Sequence, residues 1–349
     1  MAVGLIKENL LFHNILIIKP SSLGDVVRAI PVFNGLRKQY PDARISWLIR
    51  PDCGGILQNL TGLDEIIEFD RKKFARIGRS FRVTAEFIRF LKMLRQKEFD
   101  LVLDLQGLFR SGFISRATGA AMRMGFANAR ELAPLFYTHK VPVIPGEHIS
   151  ESLWRCAEWL GFGGEAKTTN LTIDAKARAT AQAFLPVDQN YVALLIGGTE
   201  AAKRWPTQRF AQLADWIYER YDLMSVLLGA GHTEERLAQE VVEQSQSKII
   251  NLVGKTDLQE LLALLDAAQL VVGNDSGPLH LAVALDAPLV SIYGPTNPAI
   301  VGPYGHLDSV VEAGKGVGRK GRYSQDPRHR IETITMESVA DAIKHKLAH

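Results

Sequence analysis

Short apolar runs alternate with longer amphipathic stretches in the first half of the chain. Four runs are typical of buried strands, at 15–19, 43–49, 64–69 and 100–105. Between them, 26–40 and 81–94 carry apolar residues at helical spacing, although Pro31 must lie in the first turn of its helix or kink it. This alternation predicts a parallel sheet covered by helices.

The same alternation restarts in the second half. Apolar runs indicate strands at 191–197, 224–230, 248–253, 268–274 and 287–294, and helical patterns lie at 207–221, 232–245, 257–267 and 277–286. A single hydrophobic core stops growing near ~250–300 residues, and this chain has 349. We therefore predict an α/β fold of two Rossmann-like, doubly wound domains facing a central cleft, into which the carboxyl ends of the strands point.

Domain boundaries follow from the segments between these patterns. Residues 163–190 carry Gly, Thr and Asn without strand patterning, and we place the linker there. The predicted domains are 1–170 and 171–335, followed by a helix at 336–349 that we expect to pack back toward the first domain. No internal repeat is visible, so the two halves match in architecture alone.

Composition excludes several classes of protein. Hydrophobic residues make up 46% and charged residues 23%, which is ordinary for a globular protein. A net charge of +3 is too small to indicate nucleic-acid binding. No apolar run approaches the roughly 18 residues that span a bilayer, and residues 1–14 do not have the pattern of a signal peptide. Cys53 and Cys156 are isolated, so we expect no disulfide framework and a reducing cytoplasm.

The charge is unevenly distributed. Residues 1–175 hold 24 basic and 18 acidic side chains, whereas 176–349 hold 17 and 20. The excess is concentrated in 71–97, which has ten basic residues and one acidic residue, Glu86. Either the first half meets an anionic partner or this segment is a solvated basic helix face, and the charge pattern alone leaves both open.

A loop with the sequence KPSSLGDVV follows the first strand at 19–27. A strand, a small-residue loop and a helix start form the usual geometry for binding an anion, although this is neither a P-loop nor a GxGxxG motif. Gly24 lets the backbone approach a ligand closely, and Asp25 begins the helix at the cleft. The structural alternative is that Ser22 or Asp25 is simply the N-cap.

Two loops of the second half suit a diphosphate. The stretch 197–206 (GGTEAAKRWP) offers a hydroxyl and the cation of Lys203, although a solvated surface loop would look the same. The stretch 273–280 (GNDSGPLH) begins a helix whose N–H groups and positive dipole end attract anions without a metal. Asp275 would repel phosphate and could bind sugar hydroxyls instead, and His280 is equally well explained as a structural histidine.

The remaining motifs indicate no further chemistry. The loop 293–298 (YGPTNP), followed by GPYG at 302–305, forms a rigid loop at a strand's carboxyl end, and turn chemistry alone would also produce it. His and Cys residues lack metal-ligand spacing, and no Ser-His-Asp order stands out. We therefore expect no zinc site and no covalent acyl chemistry.

In this order, the motifs resemble glycosyltransferase family 9, the lipopolysaccharide core heptosyltransferases. The resemblance covers about residues 14–305 and rests on KPSSLGD (19–25), DLQGLFRS (104–111), KRWP (203–206), GNDSGPLH (273–280) and YGPTNP (293–298). The stretches DLQGLFRS, MGFANARE (124–131) and YGPTNPAIVGPYG are most similar to the heptosyltransferase I branch.

The resemblance implies a GT-B fold and inverting transfer of heptose from ADP-L-glycero-D-manno-heptose to a Kdo residue of lipid A, without a metal or other cofactor. It implies that Asp25 is the general base. The implied donor contacts are Thr199, Lys203, Asp275, Ser276, Gly277 and His280. The expected acceptor contacts are Ser21, Ser22, Gly24, Arg71, Lys72, Lys73 and Arg110. A lipid acceptor implies transient contact with the cytoplasmic face of the inner membrane, and no nucleic-acid partner is expected.

The chain departs from the family pattern at three places. Gly231 stands where the heptosyltransferase I pattern has an acidic residue for the adenosine ribose, and Glu234 or Glu235 could replace it. Gly198 occupies the first position of the family's Thr pair, and the loop 314–330 lacks the cysteines of some relatives.

Three other functions stay open on the sequence. They are heptosyltransferase II or another family 9 transferase, a two-Rossmann sugar-nucleotide epimerase that needs no acceptor, and a non-catalytic sugar-nucleotide binder in which Asp25 is only a cap. Transfer to a Kdo acceptor would distinguish the predicted enzyme from all three.

Overall fold

A computed structural model describes residues 11–162, 169–187, 189–319 and 321–348. The chain divides into two compact units. The first unit runs to Pro145 and also includes Ser150–Thr169. The second unit includes Gly146–Ile149 and the chain from Asn170 onward. This division lies beside the predicted boundary at 170. Residues 163–168 of the predicted linker lie outside the described residues.

The first unit is built on a six-stranded parallel sheet. Its strands are β1 (Asn14–Ile18), β2 (Arg44–Ile49), β3 (Glu65–Glu68), β4 (Leu101–Asp104), β5 (Met122–Phe126) and β6 (His139–Val141), and its helices are α1 (Leu23–Gln39), α2 (Pro51–Gly54), α3 (Phe81–Gln96), α4 (Phe109–Thr118) and α5 (Ile149–Trp159). The strand order across the sheet is β3-β2-β1-β4-β5-β6. The central strands are fully buried from Ile15 to Ile18 and from Leu101 to Leu103, as a sheet covered on both faces requires.

The second unit repeats this plan. Its strands are β7 (Tyr191–Leu195), β8 (Met224–Leu227), β9 (Ile249–Asn251), β10 (Leu270–Asn274), β11 (Leu289–Tyr293) and β12 (Val310–Glu312), and its helices are α6 (Ala175–Ala183), α7 (Thr207–Tyr221), α8 (His232–Gln244), α9 (Leu258–Asp266), α10 (Gly277–Ala284), α11 (Pro298–Val301) and α12 (Met336–Leu347). The order across this sheet is β12-β11-β10-β7-β8-β9, and its neighbouring strands are parallel.

Both sheets therefore have the doubly wound order 3-2-1-4-5-6. In such a sheet a crevice opens at the carboxyl ends of the first and fourth strands, where the chain changes direction across the sheet. These strands are β1 and β4 in the first unit and β7 and β10 in the second. The four candidate loops 19–25, 104–111, 197–206 and 273–280 follow these strands, so topology alone brings each pair together within its unit.

Two local features differ from the sequence predictions. The helix predicted over 26–40 begins earlier, at Leu23 with Ser22 as its N-cap, and runs through Pro31. Part of the predicted linker 163–190 forms the helix α6, whose N-cap Asp174 accepts a hydrogen bond from the backbone N–H of Lys176. That helix buries only the small side chains of Ala177 and Ala181. Its sequence therefore lacks the stripe of large apolar residues from which an amphipathic helix is predicted.

The C-terminal helix α12 packs within the second unit. It lies against α7, β11 and β12, and Val339 and Ile343 are buried in the core of that unit. The expected packing toward the first domain is thus wrong for the apolar face of this helix. The physical reason is that Val339 and Ile343 bury their apolar side chains in the core of the second unit, beside β11 and β12.

Candidate active site

The loop after β1 places Asp25 in the first turn of α1. Asp25 Oδ2 accepts hydrogen bonds from the backbone N–H of Ser22 (3.3 Å) and from its hydroxyl (3.0 Å), and Oδ1 pairs with Arg28 at 3.3 Å. The carboxylate is therefore part of the helix cap. Its side chain is still 19% exposed, so capping does not seal it from a substrate.

Buried Lys19 links the two loops of the first unit. Its Nζ donates a hydrogen bond of 3.0 Å to the carbonyl of Leu105, which follows β4. Burial raises the pKa of Asp25, but the charges of Lys19 and Arg28 and the hydrogen bonds from Ser22 outweigh burial and lower it to about 2. Asp25 is consequently ionised across the physiological pH range.

The loop after β4 is held by a buried carboxylate. Asp104 Oδ2 accepts a hydrogen bond of 2.6 Å from the Tyr137 hydroxyl, and Oδ1 accepts the backbone N–H groups of Gln106 (3.0 Å) and Gly107 (3.1 Å). Complete burial raises the pKa of Asp104, against the effect of these hydrogen bonds. These contacts fix Gln106, whose Oε1 is buried without a hydrogen bond among the described residues.

A cavity of about 190 Å³ lies beside these loops in the first unit. Gln106 and Ser21 line it together with three arginines, Arg50, Arg71 and Arg110. Three of the predicted acceptor residues, Ser21, Arg71 and Arg110, are therefore brought together around one space. Arg50 pairs with Asp52 and Glu131 also lines the cavity, so Arg71 and Arg110 are the guanidinium groups that best suit an anionic ligand there.

The other predicted acceptor residues lie elsewhere. Ser22 and Gly24 belong to the cap of α1. Lys72 and Lys73 do not line the cavity, and Lys73 Nζ instead pairs with Glu86 at 3.0 Å. Arg50, which the sequence analysis missed, directly follows β2, and its place after a buried strand at the same sheet edge is the signal that could have found it.

The second unit gathers three predicted donor residues at the ends of β7 and β10. Lys203 Nζ lies 2.9 Å from Asp275 Oδ2, and His280 Nε2 lies 3.5 Å from Asp275 Oδ1. Burial raises the pKa of Asp275, but the hydrogen bond and charge of His280 and the charge of Lys203 hold it well below its usual range. His280 is thus both buried and a partner of the site carboxylate.

Buried Asn274 fixes the loop after β7 to the end of β10. Its Nδ2 donates to the carbonyls of Ile196 (2.8 Å) and Gly197 (3.1 Å), and its Oδ1 accepts the backbone N–H of Trp205 at 3.1 Å. The indole of Trp205 in turn donates to the carbonyl of Ile334 at 2.9 Å. Lys203 lies in the loop between Gly197 and Trp205, which are both held by Asn274. The backbone at Lys203 is therefore already ordered and loses little conformational entropy when the side chain binds a partner.

The helix α10 begins at the same place. Ser276 is its N-cap and Gly277 its first residue, and the hydroxyl of Ser276 is buried without a hydrogen bond in the described part of the chain. Thr199, in the loop after β7, is exposed. Free N–H groups at the start of this helix give the second unit the anion-binding geometry that the sequence predicted.

The structure separates the two candidates for the missing acidic residue at Gly231. Glu234 Oε2 accepts the backbone N–H of Ala230 at 3.0 Å, and a Cβ at Gly197 or Gly229 would collide with the Glu234 carboxylate. Burial raises the pKa of Glu234. Glu235 instead lies 3.3 Å from His232 Nδ1. Glu235 also lies against Gly254 after β9, whereas the Glu234 carboxylate lies against Gly197 and Gly229, after β7 and β8.

The turn 293–298 and the loop 314–330 are tied to each other. The Arg319 guanidinium donates to the carbonyls of Gly294 (2.9 Å) and Ala313 (2.7 Å) and pairs with Glu312. A Cβ at Gly294 would collide with the backbone of Ile331. Close packing and loop anchoring thus hold this motif in place.

Within residues 11–162, 169–187, 189–319 and 321–348, no group of three or more His, Cys, Asp or Glu side chains is arranged to hold a metal ion. Over the same ranges, no helix combines the length and apolar character that crossing a bilayer needs.

Two doubly wound domains with anion-suited loops at the sheet edges are typical of the GT-B class of glycosyltransferases. The fold is similar to that of a family 9 glycosyltransferase from Veillonella parvula, with a TM-score of 0.80, 25% identity and coverage of 98% of this chain and 99% of that one. It is also similar to the E. coli heptosyltransferase WaaC with ADP-2-deoxy-2-fluoro heptose, with a TM-score of 0.74, 26% identity and coverage of 95% and 99%. The predicted GT-B fold is confirmed.

The sequence comparisons identify the family. The pattern of Glycosyltransferase family 9 (heptosyltransferase) matches residues 87–325, and the chain belongs to this family. Lipopolysaccharide heptosyltransferase 1 of Escherichia coli O18:K1:H7 (strain RS218 / NMEC) is 29% identical over 307 residues, which cover 86% of this chain and 91% of that protein. The predicted enzyme class, a glycosyltransferase of the heptosyltransferase family in lipopolysaccharide biosynthesis, is confirmed.

Proposed function

We propose that the enzyme transfers heptose from ADP-L-glycero-D-manno-heptose to a Kdo residue of lipid A, with inversion and without a metal. The observation that carries this proposal is the pairing of loops at each sheet edge, which gives one unit an ionised carboxylate and the other a cation beside a helix start. The similar WaaC structure was solved with an ADP-heptose analogue, which supports an ADP-sugar donor. The similar curated enzyme is a heptosyltransferase 1, which supports the choice of acceptor.

In the proposed reaction, Asp25 accepts the proton of a Kdo hydroxyl while that oxygen attacks the anomeric carbon of heptose. The new C–O bond forms as the bond to the diphosphate breaks, and ADP leaves with the electron pair. General-base help of this kind contributes about 10²–10⁴-fold. A carboxylate with a pKa of about 2 is a weak base, so its negative charge also serves to stabilise the positive charge that develops at the anomeric carbon.

The donor half of the proposal rests on the second unit. Lys203 and the N–H groups at the start of α10 would stabilise the negative charge growing on the departing diphosphate. The buried Ser276 hydroxyl, at the N-cap of α10 and unpaired within the described residues, is a further hydrogen-bond donor at this place. Asp275, neutralised by Lys203 and His280, would accept hydrogen bonds from sugar hydroxyls. Other glycosyltransferases use a metal cation to stabilise this negative charge. Here Lys203 and the helix start would supply the positive charge, so the proposed reaction needs no metal.

Glu234 completes the proposed nucleotide site by taking the role of the acidic residue absent at Gly231. Its carboxylate lies at the ends of β7 and β8, where the ribose of a nucleotide is held in a doubly wound sheet. Glu234→Gln is expected to weaken ADP binding about tenfold in calorimetry, since hydrogen bonds to charged groups contribute about 1.5–3 kcal/mol. The matched control Glu235→Gln should bind ADP normally. Equal losses in both variants would contradict this assignment.

One experiment tests the whole proposal. The protein is incubated with ADP-L-glycero-D-manno-heptose and Kdo₂-lipid A, and mass spectrometry is expected to find one added heptose and free ADP, with and without a chelator. A parallel reaction with heptosyl-Kdo₂-lipid A detects a heptosyltransferase II, and a reaction with the sugar nucleotide alone detects an epimerase. Product in either parallel reaction and none with Kdo₂-lipid A would overturn the proposal, as would ADP binding without any transfer.

The acceptor half rests on the three arginines of the cavity in the first unit. Arg50, Arg71 and Arg110 suit the carboxylates and phosphates of a Kdo-bearing lipid, with Lys72 and Lys73 of the neighbouring basic segment as further candidates. Because the acceptor is a lipid, we place the enzyme transiently on the cytoplasmic face of the inner membrane. The double variant Arg71→Gln with Arg110→Gln should raise the KM for the acceptor and leave ADP affinity unchanged. A loss of ADP affinity would contradict the assignment of these arginines to the acceptor site.

A further inference from the structure

A partly exposed aromatic strip runs across the first unit beside the arginine cavity. The rings of Phe87, Phe113, Phe109 and Phe136 follow one another at centroid distances of 6.5, 6.4 and 5.3 Å. Phe109 is 47% exposed, although a buried position is usual for this residue type. We use the name aromatic strip for these four residues.

Two leucines extend the strip into solvent. Leu132 and Leu135 belong to the turn that carries Phe136, and they are 67% and 74% exposed. A Cβ at Gly112 would collide with the Phe136 ring and the backbone of Ala133, so α4 packs directly on this turn. The apolar surface is therefore preformed, and bulky exposed residues this close together indicate an interaction site.

The elements that carry the strip are rich in basic side chains. The segments 71–97 and 109–118 contain twelve Lys and Arg residues and one acidic residue, Glu86, which pairs with Lys73 and Arg82. Arg116 follows Phe109 and Phe113 at helical spacing on α4 and is exposed beside them. The nearby Glu131 accepts the backbone N–H of Phe109 at 3.3 Å. The charge around the apolar surface is strongly positive.

The strip is continuous with the cavity. Leu108, Arg110 and Ile114, from the start of α4 and the residue before it, line the cavity, and so does Phe69. Phe69 stacks on Phe74 at 5.4 Å, and Phe74 packs on Phe87 at 5.3 Å, so a row of rings leads from the cavity to the strip.

We infer that the aromatic strip and its basic surround form the surface by which the enzyme docks on an anionic lipid bilayer. Aromatic and leucine side chains enter the interface between headgroups and acyl chains, and Lys and Arg attract anionic headgroups. An apolar surface ringed by positive charge fits this partner, since a nucleic acid would leave the exposed leucines without a partner. This inference deepens the proposed lipid acceptor, which gives the surface its purpose, but binding to vesicles does not depend on transfer.

The test measures binding of the full-length enzyme to vesicles by flotation. Vesicles of phosphatidylethanolamine with a minority of phosphatidylglycerol should bind the enzyme, and phosphatidylcholine vesicles should bind it much more weakly. Phe113→Ser with Leu135→Ser should reduce binding at least about tenfold, because each side chain then buries less apolar surface. The matched control Tyr218→Ser with Leu307→Ser, which changes exposed apolar residues of the second unit, should bind like the parent.

Charge is tested separately. Arg89→Gln with Lys92→Gln should weaken binding about fivefold per residue and reduce its dependence on salt, whereas Arg220→Gln with Lys248→Gln should change nothing. Parent enzyme that ignores anionic vesicles, or an aromatic-strip variant that binds like its control, would overturn the inference.

Transfer to a de-acylated Kdo acceptor distinguishes this inference from the proposed function. The variant Phe113→Ser with Leu135→Ser should retain that transfer while losing vesicle binding, which also shows that it is folded. If the parent transfers no heptose to any Kdo acceptor but still floats with anionic vesicles, the proposed function fails and the docking surface stands.

Discussion

Replacing Asp25 by Asn tests both the chemistry and the electrostatics of the first unit. The substitution keeps the shape of the side chain and removes the charge that pairs with Arg28 and faces Lys19. It should lower kcat by about 10²–10⁴-fold. ADP affinity should be nearly unchanged, because Asp25 lies in the first unit and the proposed nucleotide contacts lie in the second.

The stability cost can be worked out from the pKa of Asp25. Folding lowers it from 3.8 to about 2, and each pKa unit corresponds to about 1.4 kcal/mol. Ionised Asp25 therefore contributes about 2 kcal/mol. Since the folded pKa is the lower one, this contribution is fully present above the unfolded value of 3.8 and is lost as the pH falls through about 2.

Chemical denaturation of both proteins at several pH values checks this prediction. The parent should exceed Asp25→Asn by about 2 kcal/mol near neutral pH, and the difference should narrow only below about pH 4. The control Ser22→Ala keeps the carboxylate and should retain most transferase activity. Normal turnover by Asp25→Asn would refute its role as base, and a stability difference that does not vary with pH would refute the electrostatic argument.

Other predictions concern the second unit and the acceptor. Lys203→Met should weaken ADP binding by about 1.5–3 kcal/mol in calorimetry, and unchanged affinity would remove Lys203 from the diphosphate site. Asn274→Ala should destabilise the enzyme by about 2–4 kcal/mol in urea unfolding, because it leaves two carbonyls and one N–H without partners; a neutral result would show that water replaces them. Acceptor KM should rise with ionic strength while ADP affinity changes little, and a flat response would refute anion recognition by Arg50, Arg71 and Arg110.

The sequence predicted the framework because buried parallel strands have a strong pattern. Runs such as 15–19 and 268–274 are apolar on both faces, and the loops that follow them carry polar residues where the strand order reverses. That rule predicts Asp25, Lys203 and Asp275 at sheet edges from the sequence alone. It did not reveal α6, whose buried side chains are alanines, nor the packing of α12, which depends on tertiary contacts.

Site residues that depend on side-chain direction could not be predicted. Glu234 and Glu235 are neighbours in the first turn of α8, and only the structure shows that Glu234 lies against Gly197 and Gly229. Arg50 was missed because a single arginine after a strand has no distinctive pattern, and it becomes informative only beside Arg71 and Arg110. The placement of Arg71, Arg110 and Ser21 agrees with the prediction, whereas the roles of Lys72 and Lys73 stay predictions.

The repeated strand order of the two sheets has an evolutionary consequence. Each unit carries its own pair of loops at its own sheet edge, joined within that unit by the hydrogen bonds of Lys19 and Asn274. Mutations after β1 and β4 can therefore alter one set of loops while the loops after β7 and β10 keep their geometry. Under the proposed function, a lineage with such a scaffold can change the acceptor of the sugar without rebuilding the donor site.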